Sequence, residues 1–328
     1  MEAPKLDYDL CILGAGPAGY AAAMRAHDLG KRVALVEASR VGGAGLHSGA
    51  LSSKTMWHLA NDYARVHRGG RGYVADKVDV SFRSVMASVQ EAVSERRGLL
   101  CRQLELLAQS GVELIRGRGR FVSPHCVEVQ RADKPSIQIE AANILIATGS
   151  TPRIPANIEV DGDRIVTSDH IEDWPRFPES LVIVGAGVIG CEYATIFGHY
   201  RQTRIFMIDR RDRILPFEDT DVSACVATSF ENMGVTIHRE AKLRSLVSDG
   251  TKVTYELEAG GSVESFDVER ALISIGRVPR RAGLGLEAAG LALNERGGIS
   301  VTGTRTEVPH IYAAGDATTD VALANVAE

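Results

Sequence analysis

Two short glycine-rich turns constrain the fold more than any other feature of the chain. The first spans residues 14–19, follows the apolar run from Tyr8 to Leu13 and opens an alanine-rich stretch that predicts a helix. The second, residues 185–190, has the same GxGxxG spacing and begins 171 residues further along. Because strand, glycine turn, helix and strand follow in this order both times, the sequence predicts that a whole domain is repeated.

An acidic residue ends the second strand of each copy. Glu37 lies 18 residues after Gly19, and Asp209 lies 19 residues after Gly190. In a dinucleotide-binding fold the glycines let the backbone approach a pyrophosphate, the helix N-terminus stabilises its charge, and the acid accepts hydrogen bonds from ribose hydroxyls. The alternative, two turns that only pack helices on strands, is disfavoured by the two acids.

Composition excludes several other classes of protein. The 328 residues suggest about two domains, and 45% apolar content excludes a disordered chain. A net charge of −5 gives no basic field for nucleic acid, no apolar run is long enough to span a membrane, and the polar residues 1–9 predict no signal peptide. Five widely spaced cysteines without a CxxC pair predict no metal site and reduced thiols, and so a cytoplasmic protein.

Five ordered motifs carry a resemblance to a known family. They are the first glycine turn with Glu37, the ATG motif at residues 147–149, the second glycine turn with Glu192, the GRxP motif at residues 276–279, and the Ala314-Gly315-Asp316 motif. Together they resemble the pyridine-nucleotide disulfide oxidoreductases, and most closely the dihydrolipoamide dehydrogenase and soluble transhydrogenase branches. The resemblance covers nearly the whole chain.

The resemblance implies an α/β fold with two nested Rossmann-like domains, each with a parallel sheet and an antiparallel crossover layer. The FAD-binding domain is expected to be discontinuous, residues 1–150 and 277–328, with the NAD(P)-binding domain, residues 151–276, inserted between. The residues that the resemblance assigns to FAD are Gly14, Gly16, Pro17, Ala18, Gly19, Glu37, Gly43, Lys54, Thr148, Gly149, Gly315 and Asp316. Those that it assigns to NAD(P)H are Gly185, Gly187, Val188, Ile189, Glu192, Asp209, Arg210 and Gly276, and Arg277 completes the cofactor-binding set.

Three residues are candidates for catalysis. The resemblance implies that Lys54 and Glu192 form an ion pair beside the flavin N5, where a fixed cation favours the reduced ring. The alternative for Lys54 is an ordinary surface lysine. His47 is a candidate because of its position in the family's redox segment, although a histidine that only packs in this loop is the favoured interpretation.

The chain departs from the family at its redox centre. The family segment GGTCxNxGCxPSK corresponds to residues 42–54, where Gly45 and Ala50 replace the two cysteines and Ser52 replaces the proline. Neither glycine nor alanine can perform thiol–disulfide exchange, so disulfide reduction is disfavoured. The sequence also ends at Glu328, before the interface domain and its His–Glu pair would begin, so the resemblance leaves the oligomeric state open.

The choice between nicotinamide nucleotides also stays open at this point. Asp209 favours NAD(H), because a carboxylate accepts from a free 2′-hydroxyl and repels a 2′-phosphate. Arg210, Arg211 and Arg213 follow at once and are suited to bind that phosphate, which keeps NADP(H) as an alternative.

The resemblance, together with the two replaced cysteines, implies an FAD-dependent NAD(P)H oxidoreductase whose electron acceptor is a second nicotinamide nucleotide, a quinone or a protein partner. The principal alternative is a catalytically degenerate relative with a structural or assembly role in a larger complex. A further alternative is an inactivated disulfide reductase, for which restored cysteines at positions 45 and 50 would recover thiol chemistry.

Overall fold

A computed structural model describes residues 7–69, 72, 74, 77–320 and 322–327. The chain divides into two compact units, unit 1 with residues 1–50, 93–151 and 278–328, and unit 2 with residues 51–92 and 152–277. The first six residues of the polar N-terminal segment, whose sequence predicts no signal peptide, lie outside the described residues. The assignment of one nucleotide to each domain stays a prediction.

Strands and α-helices are numbered in chain order. The strands are β1 Tyr8–Leu13, β2 Val33–Glu37, β3 Val112–Arg116, β4 Arg118–Ser123, β5 Cys126–Gln130, β6 Ile137–Ile146, β7 Ser150–Pro152, β8 Ile165–Thr167, β9 Ser180–Val184, β10 Arg204–Ile208, β11 Thr236–His238, β12 Lys242–Ser248, β13 Val253–Ala259, β14 Ser262–Val268, β15 Arg270–Ile273, β16 Arg277–Pro279 and β17 Ile311–Ala313. The α-helices are α1 Pro17–Asp28, α2 Gly43–His47, α3 Leu51–Arg68, α4 Phe82–Leu107, α5 Val188–Tyr200, α6 Thr220–Asn232 and α7 Ala324–Ala327.

Unit 1 is built on one mixed sheet. Its strand order is β3-β2-β1-β6-β5-β4, with β17 also paired to β6. Strand β6 joins two layers, because residues 141–146 pair in parallel with β1 while residues 137–140 pair in antiparallel with β5. Strand β2, which lies between β3 and β1, is buried at all five residues, as is typical of a parallel sheet covered on both faces.

Unit 2 repeats this plan with two separate sheets. The parallel sheet has the order β11-β10-β9-β15-β8, and an antiparallel sheet of β12, β13 and β14 accompanies it. Strand β9 is buried throughout and runs directly into the second glycine turn. The fold class predicted from the sequence, two Rossmann-like units with parallel sheets and antiparallel layers, is confirmed.

Three local predictions differ from the structure. The sequence predicts a loop over residues 41–49, whereas Gly43–His47 form a short helix, because Leu46 buries its side chain and donates its N–H to the Gly42 carbonyl. Residues 112–116 are predicted antiparallel, yet β3 pairs in parallel with β2 because it follows the long crossover through α4. The short strand predicted at residues 143–147 is the end of the ten-residue β6.

Within the described ranges, no helix combines the length and the apolar character that a membrane crossing requires.

Candidate functional site

The first glycine turn of unit 1 is closed by backbone contacts. A Cβ at Gly14 would lie 2.4 Å from the Ala147 carbonyl oxygen, and a Cβ at Gly19 would lie 1.8 Å from the Gly14 carbonyl oxygen. Any side chain at either position would therefore collide with main-chain atoms. The ATG segment and the glycine turn, distant in sequence, are in direct contact because residue 14 lacks a side chain, and the absence of a side chain at residue 19 lets the helix start close against residue 14.

Helix α1 starts at this turn and is suited to face an anion. Gly16 is its N-cap and offers no side chain to cap the helix, Pro17 follows, and the first turn carries no acidic residue. The first N–H groups of a helix have no intrahelical acceptor and carry partial positive charge. Ala18 and Gly19 lie buried in this first turn, so the N-terminus of α1 has the features of a phosphate site.

Glu37 is tied to the same turn. Its Oε2 accepts the Ala15 N–H at 2.7 Å, and its Oε1 accepts the Ser39 N–H at 2.7 Å. The residue is only 9% exposed. An ionised carboxylate has about four acceptor positions, so two positions remain for ribose hydroxyls.

Two further predicted segments of unit 1 meet the start of α1. A Cβ at Gly43 would lie 2.9 Å from the Gly16 Cα, so any side chain there would fill the space against the turn. A Cβ at Gly315 would lie 3.6 Å from the Ala18 Cβ. The structure thus brings the Gly43 and Gly315 segments to the glycine turn.

Asp316 and the ATG segment are joined by side-chain hydrogen bonds. The buried Ser150 hydroxyl donates to Asp316 Oδ2, and Arg280 Nε donates to the Ser150 carbonyl at 3.0 Å. Thr148 donates its hydroxyl to the Arg280 carbonyl at 2.8 Å, and the Gly149 carbonyl accepts the Arg280 N–H at 2.9 Å. Ser150 and Arg280 were missed by the sequence reasoning, although Ser150 directly follows the ATG motif.

The second glycine turn, in unit 2, is closed in the same way. A Cβ at Gly185 would lie 2.6 Å from the Ser274 carbonyl oxygen, and a Cβ at Gly190 would lie 2.0 Å from the Gly185 carbonyl oxygen. A Cβ at Gly187, the N-cap of α5, would meet no described atom within 4 Å. Val188, the first residue of α5, is exposed and Ile189 is half-buried. Open space therefore lies in front of this helix N-terminus.

Asp209 reproduces the hydrogen bonds of Glu37. Its Oδ2 accepts the Ala186 N–H at 2.8 Å, and its Oδ1 accepts the Arg211 N–H at 2.9 Å. Arg211 lies over the Phe217 ring at 4.8 Å, and Arg213 donates to Thr220 and to the Pro216 carbonyl. Arg210 is exposed.

The predicted ion pair is present in unit 2. Lys54 Nζ lies 2.6 Å from Glu192 Oε1, with the lysine side chain 57% exposed and the glutamate side chain 15% exposed. The buried Ser53 hydroxyl donates to the same oxygen at 3.1 Å. Helices α3 and α5 supply the two partners and pack against each other. Sequence reasoning missed Ser53, whose only signal is its place before Lys54.

The GRxP motif also begins in unit 2. Gly276 has a left-handed backbone, with φ +105°, and no described atom lies within 4 Å of a Cβ built there. Arg277 lies 3.9 Å from an oxygen of Asp169, so the side chain of this predicted cofactor residue takes part in a long ion pair within the unit.

His47 and Gly45 lie in the short helix α2 of unit 1. His47 Nε2 is 2.9 Å from the Val41 carbonyl, and burial lowers the pKa of His47 while that hydrogen bond opposes the shift. A Cβ at Gly45 would lie 2.6 Å from the Pro17 ring. The hydrogen bond of His47 within its own loop supports the packing interpretation.

FAD and a nicotinamide nucleotide are the groups that the motifs imply, and the residues fit them. In each unit the helix N-terminus has no side-chain cap and no acidic residue in its first turn, which suits a pyrophosphate. In each unit a carboxylate already positioned by two N–H groups retains acceptor positions for a ribose. A side chain at Gly43 would fill the space in front of the first turn, and Gly187 opens on free space.

Known proteins are similar to this chain in sequence and in fold. The chain is 33% identical over 312 residues to the dihydrolipoyl dehydrogenase of Zymomonas mobilis and to the soluble pyridine nucleotide transhydrogenase of Marinomonas sp., covering 94% of this chain and 66% of each relative. The crystal structure of LpdA from Mycobacterium tuberculosis superposes with a TM-score of 0.88 at 30% identity, covering 97% of this chain and 69% of that one. The chain thus spans about two thirds of the length of these relatives.

The family model for pyridine nucleotide-disulphide oxidoreductases matches residues 8–328. The matched range includes both glycine turns, the two acids Glu37 and Asp209, and the Gly315-Asp316 motif described above. The chain therefore belongs to the pyridine nucleotide-disulphide oxidoreductase family.

Proposed function

We propose that the protein is an FAD-dependent NAD(P)H oxidoreductase, with FAD bound by unit 1 and a nicotinamide nucleotide by unit 2. The observation that carries the proposal is the matched pair of acids, Glu37 and Asp209. Each accepts the N–H of the residue between the first two glycines of its turn. The dihydrolipoyl dehydrogenase and transhydrogenase relatives support nucleotide-dependent redox chemistry. None of the five cysteines, all of them within the described residues, is paired in a disulfide in the structure, which agrees with the predicted cytoplasmic setting.

In this proposal the residues of the chain bind and orient the two nucleotides. Bound FAD supplies the capacity to accept a hydride and to pass electrons on. The N-termini of α1 and α5 stabilise the negative charge of the phosphates, and Glu37 and Asp209 accept hydrogen bonds from the ribose hydroxyls. Lys54 is held by Glu192 at 2.6 Å as a fixed positive charge, and the place beside the flavin that the family resemblance assigns to it stays a prediction.

The acceptor in this proposal is not a disulfide. No cysteine lies in residues 42–54, and a side chain at position 45 is opposed by the Pro17 ring, which would lie 2.6 Å from its Cβ. Cys11 and Cys191 are buried, and burial raises the pKa of each thiol to about 12. Electrons would leave to a second nicotinamide nucleotide, a quinone or a protein partner.

NAD(H) is the proposed nucleotide. Asp209 offers acceptors to a free 2′-hydroxyl, and two of the three neighbouring arginines have other partners: Arg211 lies on Phe217, and Arg213 holds Thr220 and the Pro216 carbonyl. Arg210 alone is left as a candidate phosphate ligand among these three, so the balance favours the nucleotide without a 2′-phosphate.

Anaerobic reduction tests the proposal. The purified protein should contain FAD, or take it up, and NADH should bleach the flavin absorbance. The proposal is wrong if no flavin binds, or if bound flavin stays oxidised with both NADH and NADPH. Bound flavin without reduction would favour a degenerate subunit with a structural role, and co-purification in a stable complex would strengthen that alternative.

Two matched substitutions assign the two sites. Glu37→Gln and Asp209→Asn each place an amide N–H against a backbone N–H, which costs about 1–3 kcal/mol of local interaction. We expect Glu37→Gln to lower FAD content and Asp209→Asn to retain FAD while raising the NADH concentration needed for half-maximal reduction about tenfold. Loss of flavin in both variants, or in neither, would contradict the assignment of one nucleotide to each unit.

The inactivated-reductase alternative has its own test. Because a Cβ at position 45 would overlap the Pro17 ring, Gly45→Cys with Ala50→Cys should fold less stably and gain no lipoamide reduction. Ala50→Cys alone is the matched control. Recovered disulfide reduction in the double variant would favour an inactivated reductase instead.

A further inference from the structure

Two strained residues lie beside the acid of unit 2. Among the described residues, non-glycine positive φ angles occur at four positions. Two of these residues donate a backbone N–H to the two residues that bond Asp209: Leu215, with φ 45°, donates to the Ala186 carbonyl, and Glu240, with φ 51°, donates to the Arg211 carbonyl. A non-glycine residue in this region costs about 1–3 kcal/mol, and such residues concentrate at functional sites.

Backbone hydrogen bonds fix Glu240 next to the acid. The Glu240 N–H donates to the Arg211 carbonyl at 2.9 Å, and the Ala241 N–H donates to the Asp209 carbonyl at 3.0 Å. Arg211 in turn donates its own N–H to Asp209 Oδ1 at 2.9 Å. The Cα of Glu240 therefore lies against the residues that directly follow the ribose-type carboxylate.

Unit 1 shows what the corresponding position does there. The Gly117 N–H donates to the Glu37 carbonyl at 3.0 Å, which matches Ala241 and Asp209, so Arg116 corresponds to Glu240. Arg116 Nη1 donates to the Ser39 carbonyl at 2.9 Å. In unit 1 a side chain satisfies that carbonyl, whereas in unit 2 the Glu240 backbone N–H does so.

Because the backbone N–H of Glu240 bonds the Arg211 carbonyl, the side chain of Glu240 is not needed for that hydrogen bond. The residue is exposed, and its side chain makes no hydrogen bond or ion pair with the part of the chain that the structure describes. The corresponding residue of unit 1 is a cation, and Glu240 is an anion, so the two units differ in charge at one equivalent position. The charge at Glu240 is free to act on a ligand.

We propose that Glu240 is a specificity-determining residue that disfavours the 2′-phosphate of NADP(H). The inference rests on the proposed function, because it requires that unit 2 bind a nicotinamide nucleotide at Asp209. A dianionic phosphate beside Asp209 would face two carboxylates, Asp209 and Glu240, opposed by the exposed Arg210. A free 2′-hydroxyl carries no charge and instead donates to Asp209.

Calorimetric binding of two small nucleotides tests the proposal on the full chain. The probes are 2′,5′-ADP and 5′-AMP, and the variants are Glu240→Gln and Glu240→Lys. We expect the affinity ratio of 2′,5′-ADP to 5′-AMP to rise roughly fivefold in Glu240→Gln at low salt, and further in Glu240→Lys. The gain should shrink at 1 M salt, where the Debye length falls to about 3 Å, because exposed charges are then screened.

Two control variants separate charge from structure. Glu240→Gly removes the charge and relieves the backbone, so it should give the same change in ratio as Glu240→Gln. Glu295→Gln removes an exposed charge in unit 1 and should leave the ratio as it is. A ratio unaffected by Glu240→Gln, or a gain independent of salt, would overturn this inference while leaving the proposed function intact. Failure of the wild-type protein to bind either probe and to be reduced by NADH would overturn both.

Discussion

The two glycine turns share more hydrogen bonds than their motifs record. In unit 1, Ala15 donates its N–H to Glu37 and accepts the Gly42 N–H at 2.8 Å; in unit 2, Ala186 donates to Asp209 and accepts the Leu215 N–H at 2.8 Å. In both units the donor to the turn carbonyl has a left-handed backbone, with φ 100° at Gly42 and 45° at Leu215.

The difference lies in the residue that fills this conformation. Glycine adopts a positive φ without a steric penalty, whereas leucine does so at a cost of about 1–2 kcal/mol. The structural requirement is therefore the direction of one backbone N–H, and the sequence meets it in two ways. The comparison shows that a repeat of structure extends beyond the repeat of sequence.

The largest expected effect comes from filling the tight contact within each turn. Gly19→Ala and Gly190→Ala would place a Cβ 1.8 Å and 2.0 Å from a carbonyl oxygen, so each should cost about 3 kcal/mol or more in denaturant unfolding. Gly98→Ala is the control, since its Cβ would meet only the flexible Arg102 end at 3.4 Å, and it should stabilise by about 0.5–1 kcal/mol. A tolerated Gly190→Ala with a damaging Gly19→Ala would show that the turns are not equivalent.

Substituting the two residues with left-handed backbones, Gly42 and Leu215, should change the free energy of unfolding less, and by different amounts in the two units. Gly42→Ala should lose about 2 kcal/mol, because its Cβ would lie 2.4 Å from Leu46 Cδ2 and its φ is unfavourable. Leu215→Gly should change the unfolding free energy by less than about 1 kcal/mol, because relief of strain offsets the lost side-chain packing. An equal loss in the two variants would indicate that the Leu215 side chain, and not its N–H, holds the loop.

The smallest expected difference between the units is in how much stability each loses on acidification, and unit 2 should lose more. Burial lowers the pKa of His47 in unit 1 and of His199 and His238 in unit 2 from 6.5. The unfolded chain then binds more protons than the folded one below about pH 6.5, so stability falls on acidification and is fully present above that pH. Amide hydrogen exchange at pH 5.5 and 7.5 should show the larger loss of protection in unit 2.

His238→Gln is the corresponding variant. It should reduce the difference in protection between pH 5.5 and 7.5 in unit 2 and leave that of unit 1 as it is. A variant whose unit 2 keeps the full pH dependence would exclude His238 as its source.

Much of the fold could be predicted from local patterns. The strand, turn and helix order around Gly14 and Gly185, and the α/β class, follow from short-range periodicity and from the conformations that only glycine adopts. The helix at Gly43–His47 and the parallel direction of β3 could not be predicted, because each depends on partners far along the chain or on burial of one leucine, Leu46.

In the candidate site, too, some features follow from the sequence and others only from the tertiary structure. Sequence alone determined the two glycine turns, Glu37, Asp209, and the absence of cysteines at residues 45 and 50, because these are identities at fixed spacing. Only the tertiary structure decided the hydrogen-bond partners of Ser53 and Ser150 and the left-handed backbone of Glu240, since these depend on residues far apart in the chain. Spacing encodes short-range geometry, and packing decides which side chains are left free to meet a ligand.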